Sequence, residues 1–160
     1  MDTDYAAAVR QRMEADGCAV TEERVGQHAA LVGYRSNWRM LNKLHLITTV
    51  ARVPNATRDG VDEFVKASVT LVKQRHGAAR GMQSGVVAIP ALLADHADDD
   101  AIELVSAPYR LKLGGFAAMA RPVIVELEAG HVHAFRGFRV WGAAFHSYIR
   151  GKVNLYFPEP

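Results

Sequence analysis

Only one cysteine, Cys18, occurs in the chain, so no internal disulfide can form, and a reducing compartment, the cytoplasm, is the expected setting. No apolar run approaches the ~20 residues that a membrane helix needs. Asp2 and Asp4 follow Met1 closely, which leaves neither the basic region nor the apolar core of a secretory signal. Repeats, low-complexity tracts and linker-like stretches are absent as well. The expectation is one domain spanning residues 1–160, without a membrane partner.

Several common chemistries are missing. The glycine-rich stretch Gly77–Gly85 follows a helical pattern and precedes a strand-like one. A phosphate-binding loop needs the reverse order, so that helix amides meet the phosphate, and the Gly-Lys-Ser/Thr ending is absent. Ser84 lacks the strand-to-helix elbow of a serine nucleophile. Cys18 has no adjacent histidine or helix start to activate it. A restriction-type nuclease needs an acid two residues before the lysine of its third strand, where Lys43 has Leu41.

What is present is an ordinary globular balance, with 49% hydrophobic and 22% charged residues. The net charge of +2 hides segregation. The first thirty residues are acidic, Arg35 to Arg80 is basic, and Asp95, Asp98, Asp99 and Asp100 form an acidic knot. Such a pattern can steer an anionic partner.

Periodicity predicts a helix from Asp4 to Asp16 behind a Thr3 cap, with Tyr5, Ala8, Val9 and Met13 on one face. Strands are expected at Cys18–Arg24 and His28–Arg35, around a turn at Gly26, and at Lys43–Val53, which is rich in β-branched residues. Asp59 is placed to cap a second helix bearing Val61, Phe64, Val65, Ser68, Val69 and Val72. Gly85–Leu93 reads as a strand covered on both faces, although Pro90 points to an edge or a bulge. A short helix through Val105, a corner at Gly114-Gly115, a hairpin over Pro122–Phe135 and a last helix from about Trp141 to Gly151 complete the order. The predicted fold is α+β: a mainly antiparallel sheet with helices packed on one face, in the order α-β-β-β-α-β-(α)-β-β-α. In topology alone this order resembles the restriction-endonuclease-like core and the type III secretion chaperones with their related domains.

Two patches carry candidate chemistry. The first is basic and aromatic: Arg35, Trp38, Arg39, Lys43 and His45, with Arg75 and Arg80 as a second group that would join it if strands and helix pack together. Arginines among aromatics suit polyanion or ligand binding. The second is the late hairpin. A two-residue turn at Ala129-Gly130 sets Glu128 across from His131 and Glu126 across from His133, with apolar residues on the opposite face. A turn one residue longer would bury both histidines. Histidine with carboxylate can bind zinc or another divalent metal, or respond to pH, while opposite-charge pairs also occur without any ligand, at ~0.2–1 kcal/mol each.

No cofactor is expected beyond such a metal. The reading is a small non-enzymatic binding or assembly module that uses the basic-aromatic surface, for a protein or anionic partner and with oligomerisation left open. The alternatives are an unfamiliar enzyme centred on the hairpin patch and a degenerate nuclease-like domain with weak nucleic-acid affinity.

Overall fold

A computed structural model describes residues 2–39, 42–76, 84–109, 118–137 and 143–160. In chain order the elements are α1 (Asp2–Ala15), β1 (Ala19–Val25), β2 (His28–Arg39), β3 (Asn42–Ala56), α2 (Arg58–His76), β4 (Ser84–Ala97), α3 (Asp99–Ser106), β5 (Ala118–Ala120), β6 (Val123–Glu126), β7 (His131–Ala134) and α4 (Ala143–Tyr156). The expected α+β order is present, with β5 added and α4 running on through Gly151 to Tyr156. The glycine loop at 77–83, the corner at Gly114-Gly115 and Trp141 lie outside the described residues.

One sheet joins the strands in the order β1-β2-β3-β4-β6-β7, with β5 also against β4. Its flanks are antiparallel: β1 with β2, β2 with β3, and β6 with β7. Its centre is parallel, β4 pairing that way with β3, β5 and β6. The parallel centre follows from the connections. Strands joined through a helix crossover run in the same direction, whereas hairpin turns reverse the chain. Gly26, at φ 59°, belongs to the two-residue reversal between Val25 and His28.

Helices cover both faces of the sheet rather than one. On one face Val61, Phe64, Val65, Val69 and Val72 of α2 and Ala101 and Val105 of α3 pack on Val32, Ile47, Val86, Leu92 and Ile124. On the other, Val9 and Met13 of α1 and Tyr148, Ile149, Val153, Tyr156 and Phe157 around α4 pack on Leu46, Val87, Ile89, Leu93, Val125 and Val132. β4 makes this necessary. Val86–Leu93 is apolar at every position, so alternation sends side chains in both directions and each face needs a cover. No helix among the described residues is long and apolar enough to cross a membrane.

Local signals acted with small displacements. Thr57, not Asp59, caps α2, since its Oγ1 accepts from the Gly60 N–H at 3.0 Å. Ser68, the polar member of the α2 stripe, donates back to the Phe64 carbonyl at 2.8 Å and meets Thr49 Oγ1 at 2.7 Å, so its burial is satisfied.

Pro90 is in the central strand, not at an edge. Ala88 pairs with Ala120 and Ala91 with Val123, an offset of 32 residues on each side of a gap. The same offset sets Pro90 level with Pro122. Pairing lapses where both strands lack an N–H, and β5 and β6 are therefore two halves of one interrupted strand. Arg121 stands at the interruption, its N–H still donating to the Ala88 carbonyl at 2.9 Å.

Two substitutions test this packing. Phe64 is 2% exposed, and Phe64→Ala is expected to lower unfolding free energy by ~3–5 kcal/mol in denaturant melts. Gly151 is exposed within α4 with nothing within 4 Å of an added Cβ, so Gly151→Ala is expected to stabilise by about 0.5–1 kcal/mol in the same assay.

Candidate functional site

The sheet separates the basic-aromatic residues. β2 and β3 pair Arg35 with Leu46, Ser36 with His45 and Trp38 with Lys43. Alternation then turns Arg35 to the α1/α4 face, and Trp38, Lys43 and His45 to the α2/α3 face. Trp38 is 69% exposed. His45 is buried, with Nδ1 2.8 Å from the Tyr34 hydroxyl and the two rings stacked at 6.0 Å. Arg75 forms an ion pair with Glu23 across from α2 to β1. The Arg39 side chain and Arg80 lie outside the described residues.

The late hairpin has the expected faces in a shifted register. Its turn is four residues, Leu127–Gly130, with Gly130 at φ 71° and its N–H bonded to the Glu126 carbonyl at 2.9 Å. Glu126 is thus across from His131, and His133 from Ile124. A shift of two residues preserves which side chains share a face, so Val123, Val125, Val132 and Ala134 still enter the core. His133 Nε2 reaches Glu126 Oε2 diagonally at 3.1 Å, and the His131 ring lies 6.2 Å from the His133 ring. Glu128 turns away to His96 at 3.3 Å, where both side chains are largely exposed. Among the described residues no group of three or more His, Cys, Asp or Glu is arranged to hold a metal ion.

Two polar clusters that sequence reading passed over occupy the α1/α4 face. In the first, one oxygen of Asp16, Oδ2, accepts from Lys152 Nζ at 2.5 Å, the Tyr156 hydroxyl at 2.5 Å and Arg35 Nη1 at 2.8 Å. Tyr156 has a single proton and gives it to Asp16, so the Cys18 thiol, 3.3 Å away, donates to the Tyr156 oxygen. Burial alone would raise the Asp16 pKa, but the hydrogen bonds from Lys152, Tyr156 and Arg35 outweigh it and hold the carboxyl below its ordinary range. Burial pushes up both the Cys18 thiol and the Tyr156 phenol, with the Asp16 hydrogen bond reinforcing the latter. Neither is a ready nucleophile or acid. The cluster instead ties the end of α1 and the strand β2 to α4.

The second cluster surrounds Arg121, which is 6% exposed. Nη1 donates to the Phe135 carbonyl at 2.7 Å and Nη2 to His146 Nδ1 at 2.8 Å, while the guanidinium lies 5.0 Å from the centre of the Phe135 ring. A guanidinium only donates, so His146 Nδ1 is the acceptor. The cation has no carboxylate partner among the described residues. Burial lowers its pKa, and the nearby Arg150 charge lowers it further. Arg121, Gly137, His146, Ser147 and Arg150 line an open cavity of about 100 Å³. Arg121 at the strand interruption, Gly137 beyond the end of β7, and His146, Ser147 and Arg150 of α4 form its walls, and no acidic side chain stands in the first turn of α4.

A signal for this site exists in the sequence. Between Phe116 and Val125 the only charge is Arg121, and an isolated arginine in an apolar strand has to find a partner or a purpose. No protein-family model, curated protein or solved structure matches the chain.

Removing the Asp16 carboxylate charge would leave Arg35 and Lys152 facing each other, with each of the three side chains more than three-quarters buried. Asp16→Asn is expected to cost about 2–3 kcal/mol, between the ~0–1 of exposed pairs and the ~3–5 of deeply buried ones. A depressed folded pKa gives stability that is complete above the unfolded aspartate value and lost as pH falls through the folded one. Urea melts from pH 6 down to pH 3 should therefore show a falling stability whose slope is shallower in Asp16→Asn.

Proposed function

We propose that this chain is a non-enzymatic binding module that holds an oxyanion group of its ligand in the cavity between Arg121 and Arg150. The supporting observation is the buried Arg121 guanidinium, which has no counter-charge among the described residues and lines a cavity together with a second arginine. A buried charge with no opposite charge is costly. An anion entering the cavity would offset that cost in a way that the neutral acceptors already present, a carbonyl and an imidazole, do only in part.

The role of contact surface thus passes from the basic-aromatic strand ends to this pocket. Ligand recognition needs no catalytic group here: Arg121, Arg150 and Ser147 are donors at neutral pH and His146 Nδ1 is already engaged. A cytoplasmic setting fits the lone Cys18, held as a buried thiol by Tyr156 and Asp16.

Thermal unfolding with inorganic phosphate tests the reading. A ligand that binds only the folded state stabilises by about 2.7 kcal/mol at a hundredfold excess over Kd, so wild type should melt higher as phosphate rises. Arg150→Ala, at an exposed position, should fold normally and lose most of that rise. A wild-type melting temperature that rises no more with phosphate than with chloride at matched ionic strength would refute the proposal.

A further inference from the structure

Resting on that reading, the geometry points to a narrower ligand class: the group taken by the Arg121 cavity is a phosphate dianion, free or as the end of a monoester, in preference to a carboxylate. The charge count carries this. Two guanidiniums, Arg121 and Arg150, contribute to one small cavity, and neither forms an ion pair among the described residues. A carboxylate would neutralise one of them and leave the other facing a like charge. A dianion neutralises both and offers three or more oxygens to the donors that surround it.

Donor count agrees. Of the five N–H groups of Arg121, the protein takes two, through Phe135 and His146. The remainder, the Arg150 fork and the Ser147 hydroxyl exceed what a planar carboxylate, with two oxygens, can accept in one orientation. Size sets the limit at a single group. At about 100 Å³ the cavity is well below the ~300–1,000 Å³ of pockets that engulf a whole small molecule. The wall nearest solvent is formed by Gly137, Ser147 and Arg150, all exposed, so the rest of an esterified ligand would lie outside.

The test is a titration series by calorimetry with sulfate, acetate, inorganic phosphate and methyl phosphate. Sulfate, a permanent dianion, is expected to bind at least tenfold more tightly than acetate. A phosphomonoester titrates near pH 6, so its dianion fraction grows roughly tenfold from pH 5 to pH 7. Methyl phosphate should gain affinity by about that factor over this range. Sulfate, whose charge is fixed there, reports any titration of the protein itself, and its change is subtracted. Binding of methyl phosphate as tight as that of inorganic phosphate assigns the cavity to ester end groups; binding of inorganic phosphate alone assigns it to the free ion. Arg121→Met also removes the buried anchor to Phe135 and His146, so the decisive variant is Arg150→Ala, in which sulfate and acetate should approach parity. Acetate binding as tightly as sulfate in the wild type would overturn the dianion inference and leave oxyanion capture standing. Failure of all four to bind would remove both.

Discussion

The central strand β4 sets the constraint on which the rest of the molecule depends. It is apolar at every position from Val86 to Leu93, and its parallel neighbours occupy both of its edges. A strand of this kind must be buried on both faces. The crossover helices α2 and α3 supply one cover. The chain ends supply the other, because α1 and α4 are the elements free to fold back over the opposite side. The result is a three-layer arrangement in which the first and last helices share a layer, and Tyr5 donating to the Pro158 carbonyl at 2.7 Å ties their ends together.

That shared layer contains two clusters of buried charge with opposite outcomes. Around Asp16 the charges are resolved internally: one carboxylate oxygen gathers three donors from β2 and α4, and the thiol of Cys18 extends the chain of hydrogen bonds. Around Arg121 they are not. Among the described residues its hydrogen-bond partners are a carbonyl and an imidazole, the charge of Arg150 acts on it, and a cavity opens beside it. The first arrangement is what holds a helix on a sheet. The second is the arrangement that an anionic ligand would complete under the proposed function. The two prolines of the β4–β5/β6 gap help to place it, since Arg121 stands where regular pairing lapses.

Much of the fold was legible in the sequence because it rests on local signals. The α2 stripe, the Gly26 reversal and the alternation of the late hairpin each follow from spacing within a dozen residues. The hairpin faces survived a wrong turn length because the register moved by two residues rather than one. Helix placement was less legible. One-sided packing suits an antiparallel sheet, whereas the two-faced burial of β4 requires α1 and α4 to cover the opposite face. Pro90 suggested an edge because a single proline removes one ladder bond; its alignment with Pro122 depends on a pairing 32 residues away. The Asp16 cluster joins residues from opposite ends of the chain, and the Arg121 cluster joins residues 14 and 25 positions apart on different elements, which no local pattern reports. Arg121 did leave a trace, as the only charge between Phe116 and Val125.

The most direct test is to observe which arginines meet the anion. Side-chain NMR spectra of the arginine N–H groups, recorded while inorganic phosphate is added, separate the pocket from the basic strand ends. Saturable shifts of the Arg121 and Arg150 resonances, with those of Arg35 and Arg75 unmoved in their ion pairs, are the predicted result. Shifts confined to other arginines, with Arg121 unaffected at saturation, would contradict an oxyanion site in this cavity.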